Sequence, residues 1–318
     1  FNTTASNNTA VGYQSGYSNT TGTGITSLGY AALYANTTGS YNTALGRNTL
    51  AGNTTGTRNN AIGNGSMGAN TTGGYNQAMG VGALASNTTG NYSVAIGDAA
   101  LSSNTTASNN TAVGYQAGYA NTTGGNNTSI GRLAATTNST ASNITAVGNE
   151  ALKLTTVGNN TAVGAAALFT NSTGQYNVAL GQHDASGYPT LYSNTTGSNN
   201  TGIGSGALAQ NTTASSNTAV GYQAGYSNTT GGSLTAVGMN SLRANTTGGG
   251  SVAVGREALA SNTTGDSNTV VGGYALNQNT SGTANTGLGY QALQSNTTAS
   301  NNTAVGYQAG YSNTTGAQ

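Results

Sequence analysis

Charge is nearly missing from this chain. Of 318 residues, six are Lys or Arg and five are Asp or Glu, leaving a net charge of +1. An ordinary globular domain is roughly one quarter charged. So few cations give no electrostatic footprint for nucleic acid or an acidic membrane surface. Cysteine is absent, which excludes a disulfide framework. Tryptophan is absent too, and Pro189 is the one proline. A single histidine, His183, excludes a His-based triad or a multi-His metal site within one chain. The five acids, Asp98, Glu150, Asp184, Glu257 and Asp266, are scattered, with no Asp-rich calcium repeat. Gly248-Gly249-Gly250 lacks the Lys-Ser/Thr of a phosphate loop. No apolar run approaches the roughly 18 residues of a membrane span. These absences predict no catalytic residue, no metal and no cofactor. No signal peptide is visible and the first residue is Phe1, which predicts a processed chain or a piece of a longer one.

Low charge with low hydrophobicity could describe a disordered chain. Disordered chains, however, carry high net charge and no regular apolar spacing. Here the spacing is strict. The glycine of an Ala-Val-Gly motif falls at Gly12, Gly29, Gly46, Gly63, Gly80, Gly97, Gly114, Gly131 and Gly148, each 17 residues apart. The next, Gly164, is one residue early; Gly181 follows in step, and Gly204 comes six residues late. The period then resumes through Gly221, Gly238, Gly255, Gly272, Gly289 and Gly306. The consensus turn is N-N-T-A-V-G-Y-Q-A-L-x-S-N-T-T-G-S.

Such a period predicts an all-β parallel β-solenoid of about 18 turns, 17 residues per turn, over residues 1–318 as one array. A helical reading fails because Asn, Thr and Gly are poor helix formers and no 3.6-residue apolar stripe persists. Two short strands per turn, N-T-A-V and Q-A-L-x-S, are expected, separated by the anchor glycine and the Asn-Thr-Thr-Gly corner. Stacked at about 4.8 Å, 18 turns would extend on the order of 85 Å. The six extra residues, within 182–198 and including His183, Asp184, Gly187, Tyr188 and Pro189, are expected to form a surface bulge.

The residue before each anchor is always aliphatic or Met, and is expected to form the core. This column is Val11, Leu28, Leu45, Ile62, Met79, Ile96, Val113, Ile130, Val147, Val163, Leu180, Ile203, Val220, Val237, Val254, Val271, Leu288 and Val305. The fibre interpretation below is tied to this column facing inward. Four residues after the anchor stands Leu in most turns, as at Leu33, Leu50, Leu84 and Leu101; elsewhere it is Met67, Ala135, Ala185 or Gly. The positions two before and three after the anchor hold small residues, such as Ala10, Ala44, Ala32 and Ala83. They either let two segments of a turn approach closely or form a flat Ala face against other protomers. One turn holds about two good apolar side chains, each worth about 1.5–3 kcal/mol when buried. Ordering 17 residues costs about 1–2 kcal/mol each. Stacking must therefore supply the difference.

The polar columns are equally regular. Asn19, Asn36, Asn53, Asn70, Asn87, Asn104 and Asn121 share one position and predict an asparagine ladder along the axis. The glycine of that corner, as at Gly22, Gly39, Gly56 and Gly73, is expected to supply a positive φ. The same tripeptides, and Asn7-Asn8-Thr9, are N-glycosylation sequons, so a glycoprotein is a second reading. Two Thr columns, Thr20, Thr37, Thr54, Thr71 and Thr21, Thr38, Thr55, Thr72, could order water as ice-binding surfaces do, or bind glycans. Alternation along a strand lets only one of them line a given surface. In four related turns the Leu column becomes Gly16, Gly118, Gly225 and Gly310, followed by Tyr17, Tyr119, Tyr226 and Tyr311. Block duplication explains these turns; tyrosines presented as surface contacts are the alternative.

N-T-A-V-G-Y-Q-A-L followed by N-T-T-G resembles the repeats of phage and bacterial tail-fibre-like proteins. It is also similar to the head repeats of trimeric autotransporter adhesins, with their S/T-x-A-I/V-G core. The adhesin likeness implies a left-handed β-roll and a homotrimer, although those repeats are shorter, near 14 or 15 residues. The expectation is a non-enzymatic structural or adhesive fibre subunit, extracellular or on a virion or cell surface. Its partner would be itself, end to end or as a homotrimer, with surface glycans as a further candidate. A phage tail-fibre shaft and an ice- or glycan-binding solenoid are the alternatives.

Overall fold

The structure is a computed structural model and describes residues 4–183 and 187–316. The chain forms two compact units, Phe1–Gly158 and Asn159–Gln318. Both are all-β parallel solenoids with one three-residue strand per turn. The first unit holds nine strands, from Thr9–Val11 to Thr145–Val147, and the second nine more, from Thr161–Val163 to Thr303–Val305. No helix occurs among the described residues.

Register is like over like. In the first unit Val11 pairs with Leu28, Leu28 with Leu45, Leu45 with Ile62, and Ile62 with Met79, all in parallel. The ladder needs a donor and an acceptor on each side of the strand. Thr26 N–H donates to the Asn42 carbonyl of the following turn at 2.9 Å, and Gly29 N–H donates to Val11 of the preceding one at 2.9 Å. The anchor glycine meets two demands. Its φ lies near +130°, as at Gly63 (+125°) and Gly80 (+139°), and a Cβ there would strike the carbonyl of the next anchor glycine.

The expected second strand does not form. The segment after the anchor is a run of turn residues with two left-handed positions, at Ala31 (φ 52°) and Leu33 (φ 51°) in one turn and at Asn48 (φ 54°) and Leu50 (φ 51°) in the next. The reason lies in which side chains are inside. Ala32 and Leu33 are adjacent and both are fully buried. A strand sends adjacent side chains to opposite faces, so an extended segment cannot bury both. A left-handed residue turns the chain so that it can. A non-glycine residue held there costs about 1–3 kcal/mol and persists only where its surroundings fix it. They do so here through a second ladder, in which Leu33 N–H donates to Thr49 C=O and Leu50 N–H to Ser66 C=O, both at 3.0 Å.

The core also differs from expectation. It is built from the small column two before the anchor, the small column three after it, and the Leu column. Ala44, Ala61, Ala95, Ala100, Leu50, Leu84 and, in the second unit, Leu168 and Leu242 are within 0–1% of complete burial. The aliphatic column lies outside. Val11, Leu28, Leu45, Met79, Ile96, Ile130, Val163, Leu180, Ile203, Val271, Leu288 and Val305 are exposed, and Ile62, Val113, Val147, Val220, Val237 and Val254 are half-buried. Two neighbouring strand residues cannot both point inward, and the narrow turn admits only the smaller of them opposite the Leu. Of the two readings of the small columns, close approach within a turn is the one observed.

Where the Leu column switches to glycine, the preceding Leu fills the gap. A Cβ at Gly118 would lie 3.0 Å from Leu101 Cδ2, and one at Gly225 3.0 Å from Leu208 Cδ2. The insertion is absorbed just after Gly181. Register holds across it, with Leu180 paired to Ile203, and Thr190 and Leu191 resume the two inner columns, both fully buried. Leu191 therefore takes the place expected for Ala185. Ala185 and Asp184 lie outside the described residues. His183 is exposed, and its carbonyl accepts from Ser205 Oγ at 2.6 Å.

Candidate interaction faces

The corner asparagines form the expected ladder. From Asn36 to Asn121 each Nδ2 donates twice, to the Oδ1 of the asparagine one turn before and to the carbonyl three residues ahead. For Asn53 these bonds are 2.7 Å to Asn36 and 3.0 Å to Gly56; for Asn70 they are 2.7 Å to Asn53 and 2.9 Å to Gly73. Asn87, Asn104 and Asn121 continue the pattern, and Asn36 donates to Asn19 at 2.9 Å. All seven are buried. A folded turn therefore offers no amide nitrogen for a glycan at Asn36, Asn53, Asn70, Asn87, Asn104 or Asn121, because both of its hydrogens are bonded inside; Asn19 is buried and donates to Gly22 C=O at 3.0 Å. The corner glycines Gly22, Gly39, Gly56 and Gly73 do not have positive φ. A Cβ built at these glycines would approach the ladder amide and the next turn's carbonyl, yet the corner bond is also made where alanine stands, so the position favours a small residue and does not require glycine. Ala107, Ala141, Ala214 and Ala299 take the same place. The corner's positive φ sits two residues on, at Tyr41 (61°), Asn109 (61°) and Asn143 (61°).

A second buried asparagine column lies beside the ladder, and its signal in the sequence is the N-N-T consensus. Asn42 Oδ1 accepts from Asn59 N–H at 2.9 Å while its Nδ2 donates to Gly56 C=O at 2.7 Å. Asn59, Asn76, Asn177 and Asn200 repeat this. In the turns that carry both, two amide columns satisfy the interior backbone of the corner, as buried polar groups require; Ile25, Ser93, Ile144, Leu234 and Ser251 interrupt the second column.

The Thr columns divide as alternation requires. Thr20, Thr37, Thr54 and Thr71 turn their hydroxyls onto the next turn's carbonyl at 2.9–3.1 Å. Thr21, Thr38, Thr55 and Thr72 are exposed, a rank one residue wide. Some tyrosines of successive turns stack on one another. Tyr17 lies on Tyr34 with centroids 5.3 Å apart and planes at 5°, and Tyr75 lies on Tyr92 at 5.0 Å. Rings stacked this way present edges, not faces, to a partner. Tyr17, Tyr119 and Tyr311 are exposed, but Tyr226 is 8% exposed and is covered by Tyr188 of the insertion. Among the described residues no three His, Cys, Asp or Glu side chains come together.

The most extensive candidate face is the aliphatic one. The exposed column alternates with the buried Ala column, so the residue three before the anchor shares its side of the strand. That residue is Thr, Val, Asn or Gln throughout, and neither column contains a charge. In the first unit a groove of about 290 Å³ opens on this face, lined by Ile62, Met79, Val94 and Ile96 with Asn60 and Gln77. Contiguous exposed apolar surface of this kind marks interaction sites. Compared with models of known protein families and with curated proteins, the chain matches none.

Proposed function

We propose that the chain is a non-enzymatic structural subunit of an extracellular fibre, associating with copies of itself through the aliphatic face. The observation that carries this is the outward column of Val, Leu, Ile and Met, one per turn, on a face without charge. The column faces outward where hydrophobicity alone predicts it inside, and so supplies a contact surface in place of a core.

Magnitude decides how long the contact must be. Covering a side chain already half-buried gains about 1 kcal/mol, half of the roughly 1.5–3 kcal/mol for full burial. Association costs about 4–15 kcal/mol in lost freedom of motion. With one side chain from each partner per row, two or three rows gain about 4–6 kcal/mol, the low end of that cost, whereas the nine rows of one unit gain about 18 kcal/mol and exceed it. A long repeat array is the economical way to build such a contact, since every added turn contributes another row.

Sedimentation velocity on the intact chain tests the proposal. The expected result is a defined oligomer, the homotrimer being the form the adhesin likeness implies. Val147→Lys with Leu180→Lys should convert it to monomer with an unchanged circular dichroism spectrum. A monodisperse monomer of the unaltered chain at micromolar concentration would remove the proposal.

A further inference from the structure

The column five residues after the anchor contains an internal precedent for ligand binding. In the second unit this column runs Tyr192, Ala209, Tyr226 in successive turns. Ala209 leaves a gap one turn high between two rings about 9.6 Å apart, twice the strand spacing. Tyr188 of the insertion fills it. Its ring meets Tyr192 at 6.1 Å and 75°, and Tyr226 at 6.0 Å and 85°. Ala209 below is fully buried. At Ala209 the fold thus accepts a six-membered ring over an Ala of this column flanked by two larger side chains.

The same gap recurs three turns on, with polar walls. There the column runs Arg243, Ala260, Asn277, and the residue two after the anchor adds Asn240 and Glu257 behind it. These side chains line an open cavity of about 450 Å³, within the range of roughly 300–1,000 Å³ for small-molecule sites. Arg243 is anchored only at Nε, to Gln223 Oε1 at 3.0 Å, and is exposed. Asn277 is fixed by donating Nδ2 to the Glu257 carbonyl at 3.0 Å. The Glu257 carboxylate lies 3.7 Å from Arg256 Nε, beyond hydrogen-bond distance. Asn240 Oδ1 is buried without a hydrogen-bond partner, and such an orphan calls for an explanation.

We propose that the Ala260 gap binds one neutral pyranose ring of a glycan. The chemistry of the walls selects it. Arg243 and Glu257 carry opposite charges across the gap, so the walls present no single sign to select an ion. The walls offer guanidinium donors, a carboxylate acceptor and two amides, so the occupant is rich in hydroxyls, unlike the phenol ring seated at Ala209. The ring enters edge-on, its vicinal hydroxyls spanning Arg243 and Glu257. This site stands apart from the aliphatic face, so either proposal can fail alone.

Saturation-transfer NMR on the intact chain tests it, using the methyl glycosides of glucose, galactose, mannose and N-acetylglucosamine as probes. Transfer to at least one is expected. Ala260→Tyr should abolish it by filling the gap, and the column already holds Tyr elsewhere, so the fold should tolerate the ring. Glu257→Gln should weaken binding about tenfold, the loss of one charged hydrogen bond, and it changes only a surface group. Ala51→Tyr, in the same column of the other unit, should leave binding unchanged. No transfer to any probe, or transfer that survives both Ala260→Tyr and Glu257→Gln, overturns the assignment.

Discussion

Replacing Asn70 by alanine should loosen the first unit locally, and the size of the effect can be worked out from its bonds. The amide makes three: to Asn53 Oδ1 at 2.7 Å, to Gly73 C=O at 2.9 Å, and from Asn87 Nδ2 at 2.8 Å. The three neighbours are left in different states. Gly73 C=O keeps a donor in Asn59 Nδ2, and Asn87 Nδ2 keeps Gly90 C=O. Asn53 Oδ1 keeps nothing, and the residue is fully buried. One orphaned acceptor costs about 1–3 kcal/mol, and the two other lost bonds about 0.5–1.5 kcal/mol each. The sum, about 2–6 kcal/mol, corresponds to roughly 30- to 10⁴-fold in an opening equilibrium. Hydrogen exchange read by mass spectrometry is the suitable assay, because a solenoid opens turn by turn. Amides of Leu50–Gly56 and Leu84–Gly90 should lose protection, while those beyond Ala117 keep it. Asn64→Ala, at an exposed position just after the Gly63 anchor, serves as the control. Equal effects from Asn70→Ala and Asn64→Ala would refute the ladder as a source of stability.

Four other outcomes are expected. Asn70→Asp places an acceptor where two donated bonds are needed, so the folded state favours the protonated acid; its folded pKa is raised, and stability present below the ordinary carboxylate range, about pH 3.9, is lost as pH rises through the folded value. Thermal melts at pH 3.5 and 7 should show the difference, and the unaltered chain should not. Leu168→Ala, at a fully buried site, should cost about 2–5 kcal/mol, whereas Leu180→Ser, on the exposed column, should change monomer stability by about 0.5 kcal/mol or less; paired urea titrations decide. Gly80→Ala should prevent the local turn from forming, since its φ is +139° and the added Cβ meets the Gly97 carbonyl, while Gly82→Asn, at φ +64° with open space around it, should be nearly silent in the same titration. Glu150→Gln removes the ion pairs to Arg132 (3.3 Å) and Lys153 (3.1 Å), and because Arg132 is well exposed it should cost about 1 kcal/mol or less in low-salt melts.

The period, the parallel register and the asparagine ladder were legible because each depends only on identity at fixed spacing. Direction was not. A column of Val and Leu reads as a core wherever hydrophobicity is the only guide, yet its neighbour is Ala or Ser in nearly every turn. In a strand only one of the two can face inward. The better clue was at Ala32 and Leu33, two adjacent apolar positions that no strand can bury together. Glycine also marked the left-handed sites in advance. Gly65, Gly82 and Gly206 replace larger residues at one of them, and Gly16, Gly118, Gly225 and Gly310 replace Leu at the other, all with φ near 60–70°. Leucine is an unfavourable choice for such a conformation, so no propensity scale would place it there.

The resulting arrangement puts small and amide side chains inside and branched aliphatics outside, and this has a consequence for what can cover them. The outer rows rise by one strand spacing per turn, about 4.8 Å. A globular partner presents side chains at irregular heights and could match only a few such rows. Another copy of this chain has the same rise by construction, so seating one row seats the rest of that unit. Each additional row then adds contact area at no further cost in rigid-body freedom. Selection for association would therefore act on the repeat as a whole, which accounts for a column that never admits a charge although most of its members face water. Shifting the partner by one turn restores nearly the same contacts, so the face by itself fixes orientation better than it fixes position along the axis. The irregular turns, the insertion after Gly181 and the shortened one before Gly164, are where such a slip would be penalised, because their surfaces do not repeat.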